Sequence, residues 1–206
     1  MKNIAWLLPV LMLLVMVSCK KDSKKGDINQ TNFSADVVID GDTVKMQQGL
    51  LGYSNGVGSG GGEVDTFHTY LFRQLAQFYS PTDTLRIYFI DTFAVEPSLA
   101  VKEAIVHTGS YPTGYGTFDI IAPDANLKPG AAIVYVDAQG VRWTTDRDPQ
   151  VQPNWNFNVS AHTANSIDAF SKFLTDITFT ARLHNPVTGA SIDVQAIKMR
   201  TRTIAQ

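Results

Sequence analysis

The sequence predicts an all-β domain, mainly antiparallel, built as a β-sandwich or barrel-like sheet with one short helix near residues 98–108. Three observations carry this. Apolar and polar residues alternate with period two over much of the chain, Gly-containing turns separate the alternating runs at short intervals, and only one stretch shows a helical spacing. Short antiparallel runs with one polar face argue against a parallel sheet with crossover helices.

The alternation is clearest from Asp176 to His184. There Ile177, Phe179, Ala181 and Leu183 share one face, and Asp176, Thr178, Thr180, Arg182 and His184 share the other. Trp155, Phe157, Val159 and Ala161 alternate with Asn156, Asn158, Ser160 and His162. Leu85, Ile87 and Phe89 alternate with Arg86 and Tyr88, while Ile90 and Phe93 point to burial on both faces at that end. Further strands are predicted at 34–39, 43–47, 66–72, 131–137, 141–145 and 191–202. Asp40-Gly41 is a hairpin signal, because glycine accepts the positive φ of a primed turn. Asp137-Ala-Gln-Gly140 and Asn185-Pro-Val-Thr-Gly189 join two further pairs. Ser98 to Thr108 breaks the period, with a Ser cap and Gly109 as a stop, and reads as a helix covering one face or end of the sheet.

The N-terminus carries a different kind of signal. Lys2 precedes the unbroken apolar run Ile4 to Val17, which ends in Ser18-Cys19. Fourteen residues interrupted by Pro9 are too few to span a bilayer, which takes about twenty. Met16-Val17-Ser18-Cys19 resembles the lipobox of bacterial lipoproteins, with Met16 where Leu is commoner. The resemblance implies that residues 1–18 are a signal peptide and that Cys19 becomes a lipidated mature N-terminus. Two or three acyl chains give stable anchoring where one does not. Cys19 is the chain's one cysteine, so no intrachain disulfide exists, and lipidation would consume the sulfur that thiol chemistry needs.

Residues 19–32 then read as a charged, apolar-poor tether, and 33–206 as one β-rich domain. Lys20 stands where an Asp would retain a lipoprotein in the inner membrane, so by the same resemblance the outer membrane is favoured, with periplasmic leaflet and cell surface both open. The run Pro129 to Asp146, with Asp137-Ala-Gln-Gly140-Val-Arg-Trp143 at its centre, and the later Phe179-Thr-Ala-Arg-Leu183 resemble the C-terminal half of small lipoproteins of the Bacteroidetes type. That likeness implies fold and location and brings no activity.

Net charge is −2, and loss of Lys2 with the signal peptide makes the mature chain slightly more acidic. This gives no basis for nucleic-acid binding, which needs concentrated positive charge. Gly52 to Gly62 lacks the Gly-Lys-Ser/Thr ending of a phosphate loop and reads as a surface connection. His68, His107, His162 and His184 form no metal-ligand spacing, and His162 and His184 fall on polar strand faces. Asp146 and Asp148 lie where turns place Asp anyway. No cofactor or metal is expected.

The aromatic residues are the ligand-binding candidates. Tyr111 and Tyr115 lie, with Phe118, in a Gly/Pro-rich segment, and Trp143 and Trp155 on their strands. Exposed rings beside polar loops stack on sugar faces, and packing in the core is the competing role for each. The expected function is a non-catalytic binding or accessory module with a glycan or an envelope protein as partner. The alternative is a hydrolase whose loop-borne residues meet only in space.

Overall fold

The computed structural model describes residues 33–64, 69–116, 127–145, 152–164 and 173–203. Among the described residues, eleven strands and one helix occur in the order β1 (Ser34–Ile39), β2 (Asp42–Gln47), β3 (Ser54–Glu63), β4 (Tyr70–Tyr79), β5 (Thr84–Phe93), α1 (Leu99–Ala104), β6 (Gly109–Ser110), β7 (Gly130–Val136), β8 (Arg142–Thr144), β9 (Asn156–Ala164), β10 (Phe173–His184) and β11 (Ser191–Thr203). The main path through the sheet is β2-β1-β11-β10-β8-β7-β5-β4-β3, with β9 pairing β10 and β6 off that path. All the strand pairings are antiparallel. The fold is the all-β, barrel-like one the alternation predicts.

The sheet curls until its β3 edge reaches back to β11. Asn55 in β3 donates its side-chain N–H to Thr201 Oγ1 at 2.9 Å, and Arg202 donates to the Asn55 carbonyl at 2.6 Å. The concave face holds the main core, in which Phe72, Phe78, Ile87, Phe89, Phe157, Ile177, Phe179 and Met199 are buried. Phe157 lies at its centre, stacked on Phe179 at 6.0 Å and meeting Phe89 edge-on at 5.8 Å. A second, smaller core lies on the convex face of β4, β5 and β7, where Leu71, Tyr88, Ile90, Ala132 and Val134 are buried with Leu127 and Val64 against them. Burial on both faces of β5, anticipated at Ile90, is therefore present. The segment around 112–116 covers this face. It bonds to β7 through Gly114 N–H to Ala131 O at 2.7 Å and Ala131 N–H to Pro112 O at 2.9 Å. Gly130 allows that crossing, because a Cβ there would lie 2.4 Å from the Pro112 carbonyl oxygen.

The Asp40-Gly41 turn has φ of 50° and 94°, as a primed hairpin turn requires. Three expectations need correction. The Gly-rich stretch is no surface connection: Ser54–Glu63 is a full edge strand in register with β4. Aromatic rings of β4 occupy the space side chains would take, Tyr79 over Gly56 and Tyr70 over Gly61, which compensates the missing packing. The strand predicted at 66–72 begins at Tyr70 within the described residues and runs on to Tyr79, its inward row interrupted by the polar but buried Gln74. The helix is shorter than predicted, ending at Ala104, and Ser98 makes no side-chain cap. It ends because the Tyr111 hydroxyl takes over the next backbone groups, accepting from His107 N–H at 2.6 Å and donating toward the His107 and Ile105 carbonyls. It does cover the concave face, where Gln74 donates to Lys102 O at 2.7 Å and Lys102 Nζ lies over the Phe72 ring at 5.4 Å.

Candidate functional site

The four aromatic candidates do not meet at one place. Tyr111 is only 8 % exposed and belongs to the core, edge-on to Phe89 and Phe157 at 5.2 and 5.8 Å. Burial raises its hydroxyl to about 12, and the ring has no face left for a ligand. A Gly/Pro-rich neighbourhood suggested a loop, but the Tyr111 backbone N–H bonds to Phe157 O at 3.0 Å, prolonging the β6–β9 pairing inward.

Trp155 is half-buried. It stacks on Phe157 at 5.9 Å and donates its indole N–H to Tyr111 O at 2.8 Å. Trp143 lies away from these on the β7–β8 hairpin, packed against the main core and donating to Asp137 Oδ2 at 3.0 Å. Against the raising effect of partial burial, that indole and the backbone N–H groups of Val141 and Gln139 pull the Asp137 carboxyl below its ordinary value. Tyr115 is bonded through its backbone to Lys128 on the convex side, N–H to O at 2.9 Å. The structure thus brings Tyr111 and Trp155 together and leaves Trp143 and Tyr115 apart. Cys19, the tether, His68, Phe118, Asp146 and Asp148 lie outside the described residues.

Across β1, β10 and β11 is a cleft of about 170 Å³ lined by Val38, Gly41, Asn154, Thr180, Ala181, Asp193, Val194 and Gln195. Pairing register builds it. Ala181 faces Val194 and Thr180 faces Gln195 across β10 and β11, while Val38 of β1 pairs Gln195 from the other side. The turn that carries Asn154 is fixed on β10 by Gln152, which accepts from Arg182 N–H at 3.0 Å and donates to Arg182 O, acting as a further rung of the ladder. Asp193 is gripped by Arg182 through two parallel bonds of 2.8 and 3.0 Å, and this guanidinium lowers its carboxyl pKa. The result is one carboxylate, two amides and a hydroxyl around Val38 and the backbone of the strands, since the Ala181 and Val194 side chains point into the main core. None of the four rim residues was singled out by the sequence; Thr180 was placed on a polar face, but which polar residues converge depends on register.

Two histidines are better placed than their strand alternation implies. His162 is not on the polar face: Ser160 is a bulge in β9, since Asp176 pairs Ala161 while Ile177 pairs Val159. The extra residue turns His162 inward, where it stacks on Phe173 at 4.4 Å and bonds Thr175 Oγ1 at 3.0 Å. Burial, and then nearby His107, depress its pKa. His184 pairs with Ser191, Nδ1 to Oγ 2.8 Å, with Nε2 buried and without a partner. A serine nucleophile needs a base oriented by a third group, and that third group is missing here among the described residues. No cluster of three or more metal-ligating side chains occurs among the described residues.

Comparison with protein-family models, with curated proteins and with solved structures finds no match to this chain.

Proposed function

We propose that this chain is a lipid-anchored protein of the bacterial envelope, at the outer membrane, whose β domain works by binding a sugar ring or a similarly hydroxylated group in the cleft between β1, β10 and β11. The anchor rests on the apolar run Ile4 to Val17 and on Met16-Val17-Ser18-Cys19. The ligand class rests on one observation: Asp193, Asn154, Gln195 and Thr180 surround Val38 and the strand backbone at Ala181 and Val194, whose side chains are buried in the main core. Sugars offer hydroxyls at their rims, which the polar groups match, and C–H groups on their faces, which Val38 can meet. The volume is below the roughly 300 Å³ where drug-sized sites begin, which favours a single ring or chain end.

Two experiments test the two halves. Cys19→Ala should move the protein from the membrane to the soluble envelope fraction, and continued membrane association would sink the anchor. Titrating envelope mono- and disaccharides into the mature chain should give binding that Asn154→Ala and Gln195→Ala each weaken by about tenfold, the worth of one well-made polar contact. Binding unchanged in both variants would remove the cleft from the account. The hydrolase reading has the His184–Ser191 bond in its favour, and retained turnover in Ser191→Ala would remove that support.

A further inference from the structure

The β2–β3 turn carries an apolar surface for which the folded domain has no use. Leu50 is 43 % and Leu51 79 % exposed, and Leu51 sits at φ 52°, where asparagine or glycine is the usual occupant. The strain is imposed from both sides. Leu50 N–H bonds Gln47 O, Tyr53 N–H bonds Leu50 O and Gly49 N–H bonds Tyr53 O, all at 2.9 Å. Tyr53 is itself fixed by its hydroxyl, 2.7 Å from both oxygens of Asp83. Gly52 lies against Pro81, which is exposed and extends the apolar tip. A branched side chain is thus held in an unfavourable backbone state without the burial within the domain that would offset it.

The location of the tip supplies the reason. Gln48 N–H bonds the carbonyl of Phe33 at 3.1 Å, so the turn is fastened to the point where the chain arrives from Cys19. The intervening residues 20–32 span at most about 45 Å when fully extended. Lipid on Cys19 would keep a bilayer within that reach, and tethering makes a weak second contact effectively intramolecular. We propose that Leu50 and Leu51 insert into the bilayer interface as a second, non-covalent contact beside the anchor. This inference rests on the anchor reading of Cys19.

The contact would also orient the domain. β1 leads from Phe33 at the tip to Gly41 at the cleft, and β11 from Arg200, paired with Ser34, back to Asp193. With the tip on the membrane, the cleft faces away from it. A flexible tether alone would leave that orientation undetermined.

The test uses the acylated full-length protein. Because lipidation consumes Cys19, Leu51→Cys and Val187→Cys each provide one free thiol. Val187 is 90 % exposed on the β10–β11 hairpin, at the opposite end of those strands. Each variant, shown to melt with the wild type, is labelled with an environment-sensitive fluorophore and reconstituted into vesicles of phosphatidylethanolamine and phosphatidylglycerol containing a lipid-borne quencher. The label on Leu51 should be quenched at least about twofold more than that on Val187, as interfacial insertion by 5–10 Å requires. Equal quenching in acylated protein overturns the tip contact and leaves the anchor standing. Shielding of the Leu51 label that follows protein concentration without quencher dependence overturns it in favour of contact between copies. Absence of acyl label on the wild type, with its thiol reactive, overturns the anchor and the tip contact together.

Discussion

Adjacent glycines in β3 should respond to the same substitution with opposite signs. At Gly61 a Cβ would lie 2.7 Å from Tyr70 Cε1, 2.8 Å from the Leu71 carbonyl oxygen and 3.0 Å from Phe72 Cδ2. The Tyr70 ring is only partly buried, but the carbonyl belongs to the backbone of β4, the neighbouring strand, and Phe72 is buried in the core. Gly61→Ala therefore overpacks a rigid site and should cost about 1–3 kcal/mol. At Gly62 nothing lies within 4 Å of the same atom and φ is not left-handed. Gly62→Ala should stabilise by about 0.4–1 kcal/mol, by narrowing the unfolded ensemble. For a domain of this size each kcal/mol moves the melting midpoint by about 2–4 °C, so the two variants should straddle the wild type by several degrees. Thermal and urea unfolding of the mature chain measure this. If 52–62 were an unpacked connection, both variants would be neutral or slightly stabilised; shifts of the same sign would refute the strand and its aromatic cover.

Four further outcomes follow from the geometry. Tyr111→Phe removes the acceptor of the His107 N–H and the buried bond to the Ile105 carbonyl, and should lower stability by about 1–2 kcal/mol, read as a shifted urea midpoint at unchanged slope. Trp155→Phe keeps the stack on Phe157 but strands the Tyr111 carbonyl, costing about 1 kcal/mol by the same measure. His162 is held neutral by burial, so the unfolded chain takes up its proton first, near pH 6.5; stability is full above that pH and falls as acidification proceeds toward the depressed folded pKa. His162→Phe should flatten that slope, and an unchanged pH profile would contradict the assignment. Leu51→Asn relieves the positive φ and should stabilise the domain by about 1 kcal/mol in thermal unfolding.

The strand faces were legible where period two ran without interruption. Ile177, Phe179, Ala181 and Leu183 are buried as their alternation requires, and the Asp40-Gly41, Gly140 and Gly189 turns fall where the chain chemistry puts them. Legibility failed where one residue's environment is decided by a distant strand. Glycine content argued against β3 because the rings that cover it belong to β4. Tyr111 resembled a loop residue because its burial depends on Phe89 and Phe157, far away in sequence. The cleft was invisible for the same reason: Asn154, Thr180, Asp193 and Gln195 belong to three segments, and only the β1–β11–β10 register gathers them.

Two single-residue bulges account for the composition of the concave face. In β11 the buried row runs Val194, Ala196 and then Met199, Thr201, Thr203, because Ile197 is inserted between Ala196 and Lys198 relative to both β1 and β10. Ser160 does the same in β9. Each insertion exchanges the faces of everything beyond it, so residues that alternation would send to solvent turn inward at the β2–β3 end of the domain. Apart from Met199 these residues are polar, and they bond to one another and to neighbouring polar groups. Thr175 bonds Thr203 at 3.0 Å and His162 at 3.0 Å, and Thr201 accepts from Asn55. A buried hydrogen-bonded group fixes register more strictly than apolar contact does, because a one-residue slip leaves each member unpaired in a low-dielectric interior. The main core can tolerate rearrangement among Phe89, Phe157 and Phe179, whereas this end cannot. It is also the end that receives the chain at Phe33 and bears the Leu50–Leu51 turn. A tip that holds Leu51 at a strained φ needs a rigid base, all the more under the proposed membrane contact, and the threonine, histidine and asparagine bonds at this end provide one.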